Sequence, residues 1–151
     1  MAVGHTTTFN RPFDDFAVAR YNPDGSLDTT FGVNGKVVTS LSNFRDYISR
    51  LALQKDEKIV AAGASVNDFA LARYNNNGTL DMTFGSGGKV ITDFAGLIDQ
   101  ATAVVILDNG EIVAVGSADN ARKFALAYYK SDGSLDTAIG SGVRSLLSFL
   151  A

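Results

Sequence analysis

Acidic side chains recur at one fixed place in this sequence, around a Gly-x-Leu-Asp segment. Carboxylates near a turn glycine are typical of loops that bind Ca²⁺, a cation that prefers oxygen ligands. The candidate ligands are Asp24, Asp28, Asp81, Asp132 and Asp136. The middle segment has Asn76 and Asn77 instead, however, and no glutamate follows that could bind a cation through both oxygens. We therefore expect no cofactor and predict turns in which aspartates accept backbone N–H groups, with Ca²⁺ kept as an alternative.

Two arginines stand at matching positions, each eight residues before one of these aspartates. Arg20 could form an ion pair with Asp28 and Arg73 with Asp81, or the two guanidinium groups could line a face that binds a ligand. A group that recurs in every copy of a segment is more simply part of the scaffold. We therefore predict structural ion pairs.

Tyrosines and glycines recur in the same register as these charged residues. They are Tyr21, Tyr74 and Tyr129, and Gly25, Gly78 and Gly133. A recurring glycine indicates a backbone position that needs positive φ or close approach. We expect the tyrosines to pack between copies of the segment rather than to form a stacking platform for sugar rings.

Recognisable catalytic chemistry is sparse in this chain. It has no cysteine and one histidine, His5, so a thiolate site, a histidine metal site or a Ser-His-Asp triad is hard to build. Asp14 and Asp15 could act as paired carboxylates, but Asp15 recurs as Asp68, which favours a polar start to a strand. The expectation is a protein that is not an enzyme.

The overall composition limits the class of partner. Of 151 residues, 46% are hydrophobic and 19% charged, which is typical of a globular domain. The net charge of −3 argues against nucleic acid and anionic membranes, since both need a basic surface. We expect no membrane span, because no apolar run approaches the ~18 residues that crossing requires. The first residues lack the features of a signal peptide.

A tandem repeat organises the chain. Residues 15–39 and 68–92, offset by 53, are identical at 17 of 25 positions, and a third copy begins at Phe124. We divide the single repeat domain, residues 1–151, into four segments. They are the tail of a preceding repeat at 1–13, repeat 1 at 14–66, repeat 2 at 67–121 and a partial, degenerate repeat 3 at 122–151.

Each full repeat predicts four short strands. In order along the repeat, the predicted strands and their copies are Phe16–Tyr21, Phe69–Tyr74 and Phe124–Tyr129; Lys36–Ser40, Lys89–Asp93 and Arg144–Ser148; Ile48–Gln54 and Ala101–Leu107; and Lys58–Ala62 and Glu111–Val115, with Ala2–His5 as a further copy of the last strand. Asn109-Gly110 indicates a tight hairpin. Since Glu57 stands where Gly110 does, we expect a different turn type in the first copy.

Several predicted strands are apolar on both sides, and no segment shows a helical period. A sheet that is buried on both faces must be covered on both faces, and without helices the covers must be other sheets. The fold class is therefore predicted as all-β, a β-propeller-like array of four-stranded antiparallel blades, with about three blades and partial outer ones. A β-sandwich is the runner-up, and a β-helix ranks third.

The motif DFALARYNxxGxLDxTFGxGGKVxTD, followed by DQAxAxxLxxxGxIVAxG, resembles the delta-60 repeat family. This resemblance covers nearly the whole chain and implies a β-propeller-like repeat of bacterial surface or secreted proteins, with no established activity. Repeat 3 departs from the motif, because Tyr128, Ile139 and Val143 replace an arginine, a phenylalanine and a glycine. Terminal repeats are often degenerate in this way.

Three blades fall short of the roughly four to eight of a closed ring. We expect either further repeats or a homo-oligomer to complete it, with Ala2–His5 able to supply a strand to the last blade. The predicted function is a non-catalytic structural or binding module that displays loops for a protein or glycan partner. The alternatives are a propeller-type hydrolase or lyase fragment and a Ca²⁺-stabilised surface repeat.

Overall fold

A computed structural model describes residues 1–7, 13–94, 97–136, 138 and 144–148. The described residues form β-strands and turns without a helix, so none of them belongs to a helix that could cross a membrane. The strands are β1 (Ala2–Thr7), β2 (Asp14–Ala19), β3 (Lys36–Thr39), β4 (Asp46–Leu53), β5 (Ile59–Ser65), β6 (Asp68–Tyr74), β7 (Lys89–Thr92), β8 (Gln100–Ile106), β9 (Ile112–Ala118), β10 (Lys123–Tyr129) and β11 (Arg144–Ser148).

The strands form three antiparallel sheets, which we call blades 1, 2 and 3. Blade 1 has the order β1-β2-β3, blade 2 the order β4-β5-β6-β7, and blade 3 the order β8-β9-β10-β11. All neighbouring strands within a blade are antiparallel. The prediction of an all-β, β-propeller-like array of about three antiparallel blades is confirmed. Of the two outer blades that were expected to be partial, blade 1 has three strands, whereas blade 3 has four.

The blades are out of phase with the sequence repeats. Blade 2 takes β4 and β5 from residues 14–66 and takes β6 and β7 from residues 67–121. The ladder between β5 and β6 runs from Ile59↔Tyr74 to Ser65↔Asp68. Consecutive repeats are therefore joined by a continuous set of backbone hydrogen bonds, and neither repeat forms a blade by itself.

The strand β1 lies in blade 1 and not in the last blade, contrary to the expectation from the sequence. It pairs with β2, from Ala2↔Ala19 to Thr7↔Asp14, while blade 3 has four strands of its own. A hairpin to the next strand closes a far shorter loop than pairing with a strand more than a hundred residues away, which favours the local partner. Among the described residues, blade 1 has no strand at the position of β4 and β8.

The strands β4 and β8, which lie at one edge of blades 2 and 3, contact each other and carry a bulge at the same place. The register shifts between Ile48 and Arg50 in β4, and at the matching place in β8. Beside the bulge, a Cβ on Gly63 would overlap the carbonyl oxygen of Tyr47, and one on Gly116 would overlap that of Gln100. These two glycines recur because the backbone of the neighbouring strand approaches too closely for a side chain.

Two apolar clusters fill the spaces between blades. The front face of each blade points toward the following blade, and its back face points toward the preceding one. Phe16 and Val18 on the front of blade 1 meet Ala70, Ala72 and Tyr74 on the back of blade 2. The front of blade 2 and the back of blade 3 form the second cluster. All seven residues of β5 are buried, which explains why these strands lack a polar face.

The blades have two different ends. What we call the loop end carries hairpins 54–58 and 107–111 and the loops that contain the Gly-x-Leu-Asp segments, residues 22–35, 75–88 and 130–136. The opposite connector end carries segments 40–45, 66–67, 93–94, 97–99 and 119–122. This division follows from the alternating direction of antiparallel strands.

The hairpin at Glu57 uses the same turn as the hairpin at Gly110, so the expectation of a different turn type is wrong. Gln54 N donates to Lys58 O at 2.8 Å and Glu57 N to Gln54 O at 3.0 Å, and the second hairpin repeats both hydrogen bonds. Glu57 has φ 65° and Gly110 has φ 85°. The strand register imposes the left-handed conformation, and Glu57 Oε2 accepts a hydrogen bond from Asn76 Nδ2 at 2.7 Å.

Candidate functional site

Each of the two repeated arginines is held in one arrangement at the loop end. Arg20 Nε donates to Asp28 Oδ2 at 2.8 Å, and Arg73 Nε donates to Asp81 Oδ2 at the same distance. The Arg20 guanidinium lies 4.8 Å from the centre of the Phe31 ring, and that of Arg73 lies 4.5 Å from the ring of Phe84. Each arginine is thus fixed by a charge-assisted hydrogen bond and a cation–π contact. We call this arrangement the arginine clamp.

The arginine clamp also reaches the loop of the following repeat. Arg20 Nη1 donates to Asn76 Oδ1 at 2.6 Å, and Arg73 Nη1 donates to the carbonyl oxygen of Ser131. Backbone hydrogen bonds lie beside these contacts: Gly32 N donates to Asn77 O at 2.8 Å, and Gly85 N donates to Asp132 O at 2.7 Å. The two arginines therefore join consecutive repeats.

Burial differs between the two clamps. The side chains of Arg73 and Asp81 are each 6% exposed, whereas those of Arg20 and Asp28 are 18% and 21% exposed. Burial by itself would raise the pKa of Asp81. Hydrogen bonds from Thr83 and Lys58 and the charge of Arg73 outweigh burial and hold that pKa well below its usual range. Arg73 and Asp81 therefore form an ion pair at neutral pH.

The aspartates considered as Ca²⁺ ligands cap turns in this structure. Asp24 Oδ1 accepts from the N–H of Ser26 at 2.9 Å and from its hydroxyl at 2.6 Å. Asp28, Asp81 and Asp132 accept matching pairs of hydrogen bonds from the residue two positions on, and Asp136 accepts one from Ala138 N. The hydroxyl donors, followed by the N–H donors, lower the pKa of Asp24, Asp28 and Asp132.

A different set of carboxylates converges at the connector end. One oxygen from each of Asp68, Asp93 and Asp99 lies within 4.8 Å of the others, and within the described residues this is the group able to hold a cation. Burial, followed by the charges of Asp93 and Asp99, raises the pKa of Asp68. Asp99 also accepts hydrogen bonds from the N–H groups of Phe94 and Asp119, at 2.8 and 3.1 Å, so it anchors the connector. The sequence signal that could have indicated this group is Asp93, since repeat 1 has Ser40 there.

The recurring tyrosines lie between blades where a preceding blade exists. Tyr74 Oη donates to Thr39 Oγ1 at 2.9 Å, and the Tyr129 and Thr92 hydroxyls are 2.8 Å apart. Both tyrosine side chains are fully buried, and burial raises the pKa of Tyr74 to about 12. Tyr21, at the matching place in blade 1, is 47% exposed.

The recurring loop glycines, like the tyrosines, are packed against the preceding repeat in the second and third copies but not in the first. A Cβ on Gly78 would collide with Gly32 N and the Val37 side chain, and one on Gly133 would collide with the ring of Phe84. A Cβ on Gly25 would meet nothing within 4 Å. Gly78 and Gly133 are therefore docked on the preceding repeat, while the loop around Gly25 is open.

The candidates for catalysis, His5, Asp14 and Asp15, lie in the paired strands β1 and β2. The ring of His5 lies edge-on against Tyr47, with centroids 5.4 Å apart. His5 is part of strand β1, where its backbone pairs with Phe16, and not part of a loop. Asp14 and Asp15 begin strand β2, and Asp15 is 3% exposed.

A polar cleft opens at the loop end between blades 2 and 3. Its volume is about 360 Å³, and residues of hairpins 54–58 and 107–111 line it together with Arg73 and Ser131. Gln54 lines it with a side-chain oxygen that is buried and has no hydrogen-bond partner. The sequence analysis did not identify Gln54 as a site residue. The available signal was the difference between the repeats, since the matching residue in the next repeat is the apolar Leu107. We call this the loop-end cleft.

These features define a class of protein, a β-propeller repeat protein in which radially stacked sheets are joined by the arginine clamp. The chain belongs to the family described as "Domain of unknown function (DUF5122) beta-propeller", which matches residues 1–31, 54–84 and 107–138. The first two matched segments end at Phe31 and Phe84, so each contains one complete arginine clamp. No curated protein matches the chain.

Proposed function

We propose that this chain is a non-catalytic structural module that binds a second copy of itself through the back face of blade 1. The observation that carries the proposal is the exposure of Tyr21. Its side chain is 47% exposed, whereas Tyr74 and Tyr129 at the same position are fully buried under a preceding blade. An apolar surface that is covered in two of three copies is suited to being covered in the third as well.

Other residues of the back face support this interpretation. Ala17 and Ala19 are partly exposed in blade 1, while their counterparts in blades 2 and 3 are fully buried. Those counterparts are Ala70, Ala72, Ala125 and Ala127. With Val38, the two alanines line an apolar depression of about 250 Å³. The face is thus small, apolar and contiguous, as the back faces of blades 2 and 3 are.

The front face of blade 3 is the complementary surface on the second copy. Phe124 and Leu126 are partly exposed there, whereas Phe69 and Leu71 are fully buried at the same positions in blade 2. Joining the front of blade 3 to the back of blade 1 repeats the apolar packing between the internal blades. Repeat 3 has Tyr128 in place of the clamp arginine, so this joint is expected to be weaker than the internal ones.

The number of blades agrees with a closed assembly of two chains. The described residues of one chain form three blades, and closed propellers have about four to eight. A head-to-tail contact generates a ring when its rotation closes, so two copies would form a ring of six blades. Such a ring would display the loop ends of all six blades on one side, where a protein or glycan partner could bind.

Analytical ultracentrifugation tests the assembly. We expect the wild-type chain to sediment as a dimer and Ala17→Arg, which places a charge on the back face, to sediment as a monomer with an unchanged circular-dichroism spectrum. Met82→Arg is the matched control, because Met82 is 71% exposed in a loop of blade 2. A monomeric wild-type protein at high micromolar concentration, or a dimeric Ala17→Arg variant, contradicts the proposal.

Two alternatives remain to be separated from this function. A panel of hydrolase and lyase substrates tests the proposal that the module is non-catalytic, and turnover abolished by a single loop-end substitution would overturn it. Thermal melting with Ca²⁺ and with EDTA tests a Ca²⁺-stabilised repeat, and we expect equal melting temperatures. The resemblance to the delta-60 repeat family supports a bacterial surface or secreted setting for the module.

A further inference from the structure

The loop-end cleft lies within a single chain and does not depend on the contact between copies. Hairpin 54–58 belongs to blade 2 and hairpin 107–111 belongs to blade 3, so the cleft is held by two blades that share an apolar core. Its volume of about 360 Å³ is at the lower end of the range for small-molecule sites. The walls of the cleft are therefore in place before a ligand binds.

Gln54 lines the cleft and carries a hydrogen-bonding atom that the fold does not use. Its Oε1 is buried and has no donor among the described residues, where no other buried side-chain oxygen or nitrogen is in this state. A buried polar atom without a partner costs stability, and such atoms are rare in native proteins. Gln54 Oε1 is therefore suited to accept a hydrogen bond from a ligand.

The next repeat shows whether the hairpin needs the side chain of Gln54. The matching residue is Leu107, and both hairpins have the same two backbone hydrogen bonds. The backbone nitrogen and carbonyl oxygen of Gln54 serve the turn, but its side chain does not. The amide is therefore not required by the fold, since leucine occupies the same place one blade later.

The charges around the cleft are already paired with one another. Lys55 Nζ lies 3.0 Å from Asp108 Oδ1, and Lys58 Nζ lies 3.2 Å from Asp81 Oδ2. Arg73 is held by the arginine clamp. A charged ligand would have to displace one of these partners, whereas a neutral ligand would not. Two apolar side chains, Ile106 and Leu107, form part of the wall.

We infer that the loop-end cleft binds a neutral, hydroxyl-bearing small molecule about the size of one sugar ring. The side chain of Gln54 turns its Oε1 into the cleft to accept a hydrogen bond from a hydroxyl group of the ligand, and the apolar side of the ligand lies against Ile106 and Leu107. The exposed ion pair between Lys55 and Asp108 joins the two hairpins beside the ligand. The site is carried by the junction of two blades and not by the central axis of the propeller.

NMR titration of the ¹⁵N-labelled full chain tests this inference. The probes are the methyl glycosides of glucose, galactose, mannose and N-acetylglucosamine. We expect at least one of them, in the millimolar range, to shift the Gln54 side-chain amide together with backbone signals of residues 55–58 and 107–110. Shifts confined to other parts of the chain, or no shifts at tens of millimolar, would overturn the inference.

Two variants show whether Gln54 carries the binding. Gln54→Leu copies the residue found in the next repeat and is expected to weaken binding at least tenfold while raising the melting temperature of the unliganded protein. Gln100→Leu, at an exposed position in β8, is the matched control and should bind as the wild type does. Wild-type affinity in Gln54→Leu contradicts the inference, whatever the oligomeric state.

A titration with sodium phosphate tests the neutrality of the ligand. Because the lysines and Arg73 are paired with carboxylates, we expect phosphate to shift the signals of the cleft less than the best glycoside does. A stronger response to phosphate would overturn the assignment to a neutral ligand. Ala17→Arg, the monomer expected above, should bind the glycoside unchanged, which separates this inference from the proposed assembly.

Discussion

The phenol of Tyr74 donates a hydrogen bond of 2.9 Å to the hydroxyl of Thr39, across the boundary between blades 2 and 1. Thr39 ends strand β3 at the outer edge of blade 1, so the bond joins an outer strand of one blade to the back face of the next. Tyr129 and Thr92 repeat the contact one blade later. The stacking of blades is therefore specified by a polar contact inside an apolar interface, and apolar area is not its only source.

Tyr74→Phe is expected to lower the free energy of unfolding by about 1–2 kcal/mol, because it leaves the buried Thr39 hydroxyl without its donor. Urea unfolding followed by circular dichroism measures the change. Tyr21→Phe is the matched control, and we expect a change close to zero, since that side chain is about half exposed. Equal losses in the two variants would show that the hydrogen bond does not specify the interface.

Arg73→Met tests the buried arginine clamp. Methionine keeps an apolar stem of similar length but leaves Asp81 buried with only part of its compensating charge, so we expect a loss of about 3–5 kcal/mol. Arg20→Met should cost about 1 kcal/mol or less, because that pair is closer to solvent. Denaturant unfolding of both variants checks the difference, and a larger loss for Arg20→Met would contradict it.

The repeat allowed much of the fold to be predicted. A 53-residue period with paired apolar strands and no helical pattern leaves few ways to bury both sheet faces, and radial blades are one of them. The phase of the blades could not be derived in the same way. Whether β5 pairs with β6 depends on contacts across the repeat boundary, and the periodic pattern is the same for any choice of boundary.

The candidate site was less predictable for a related reason. The recurring residues Arg20 and Arg73 draw attention in a sequence, and in the structure each donates hydrogen bonds to its own repeat and to the following one. Gln54 stands where the next repeat has Leu107, and the burial of its side-chain oxygen without a partner arises only in the folded structure. Gln54 is a position at which the two repeats differ, so a search for differences between the repeats would have indicated it, whereas a search for identical residues would not.

Asp68→Asn is expected to raise the melting temperature at neutral pH. The folded state raises the pKa of Asp68, through burial and then through Asp93 and Asp99, so its carboxylate is less favourable in the folded chain than in the unfolded one. The stabilising contribution of a raised pKa is complete below the unfolded value of about 4 and is lost as the pH rises through the folded value. The gain from asparagine should therefore appear above about pH 4 and disappear below it.

Thermal melts of Asp68→Asn and the wild type between about pH 3 and pH 8 measure this dependence. Asp15→Asn is the matched control, because Ser40 stands there in place of Asp93 and removes one of the two carboxylates that act on Asp68. We expect a smaller gain in melting temperature from Asp15→Asn. A gain from Asp68→Asn that is equal at all pH values would contradict the electrostatic cause.

Val66→Gly should stabilise the chain by about 1 kcal/mol. Val66 has φ 58° at the first of the two residues that join β5 to β6, a conformation that costs a β-branched residue about 1–3 kcal/mol and glycine almost nothing. Part of that gain is offset by the greater freedom of glycine in the unfolded chain. Val33→Gly is the control: Val33 is 76% exposed and is absent from the residues with positive φ, so its replacement should destabilise or have little effect. Chemical unfolding of the two variants decides, and a destabilised Val66→Gly would mean that the left-handed conformation at this turn is not strained.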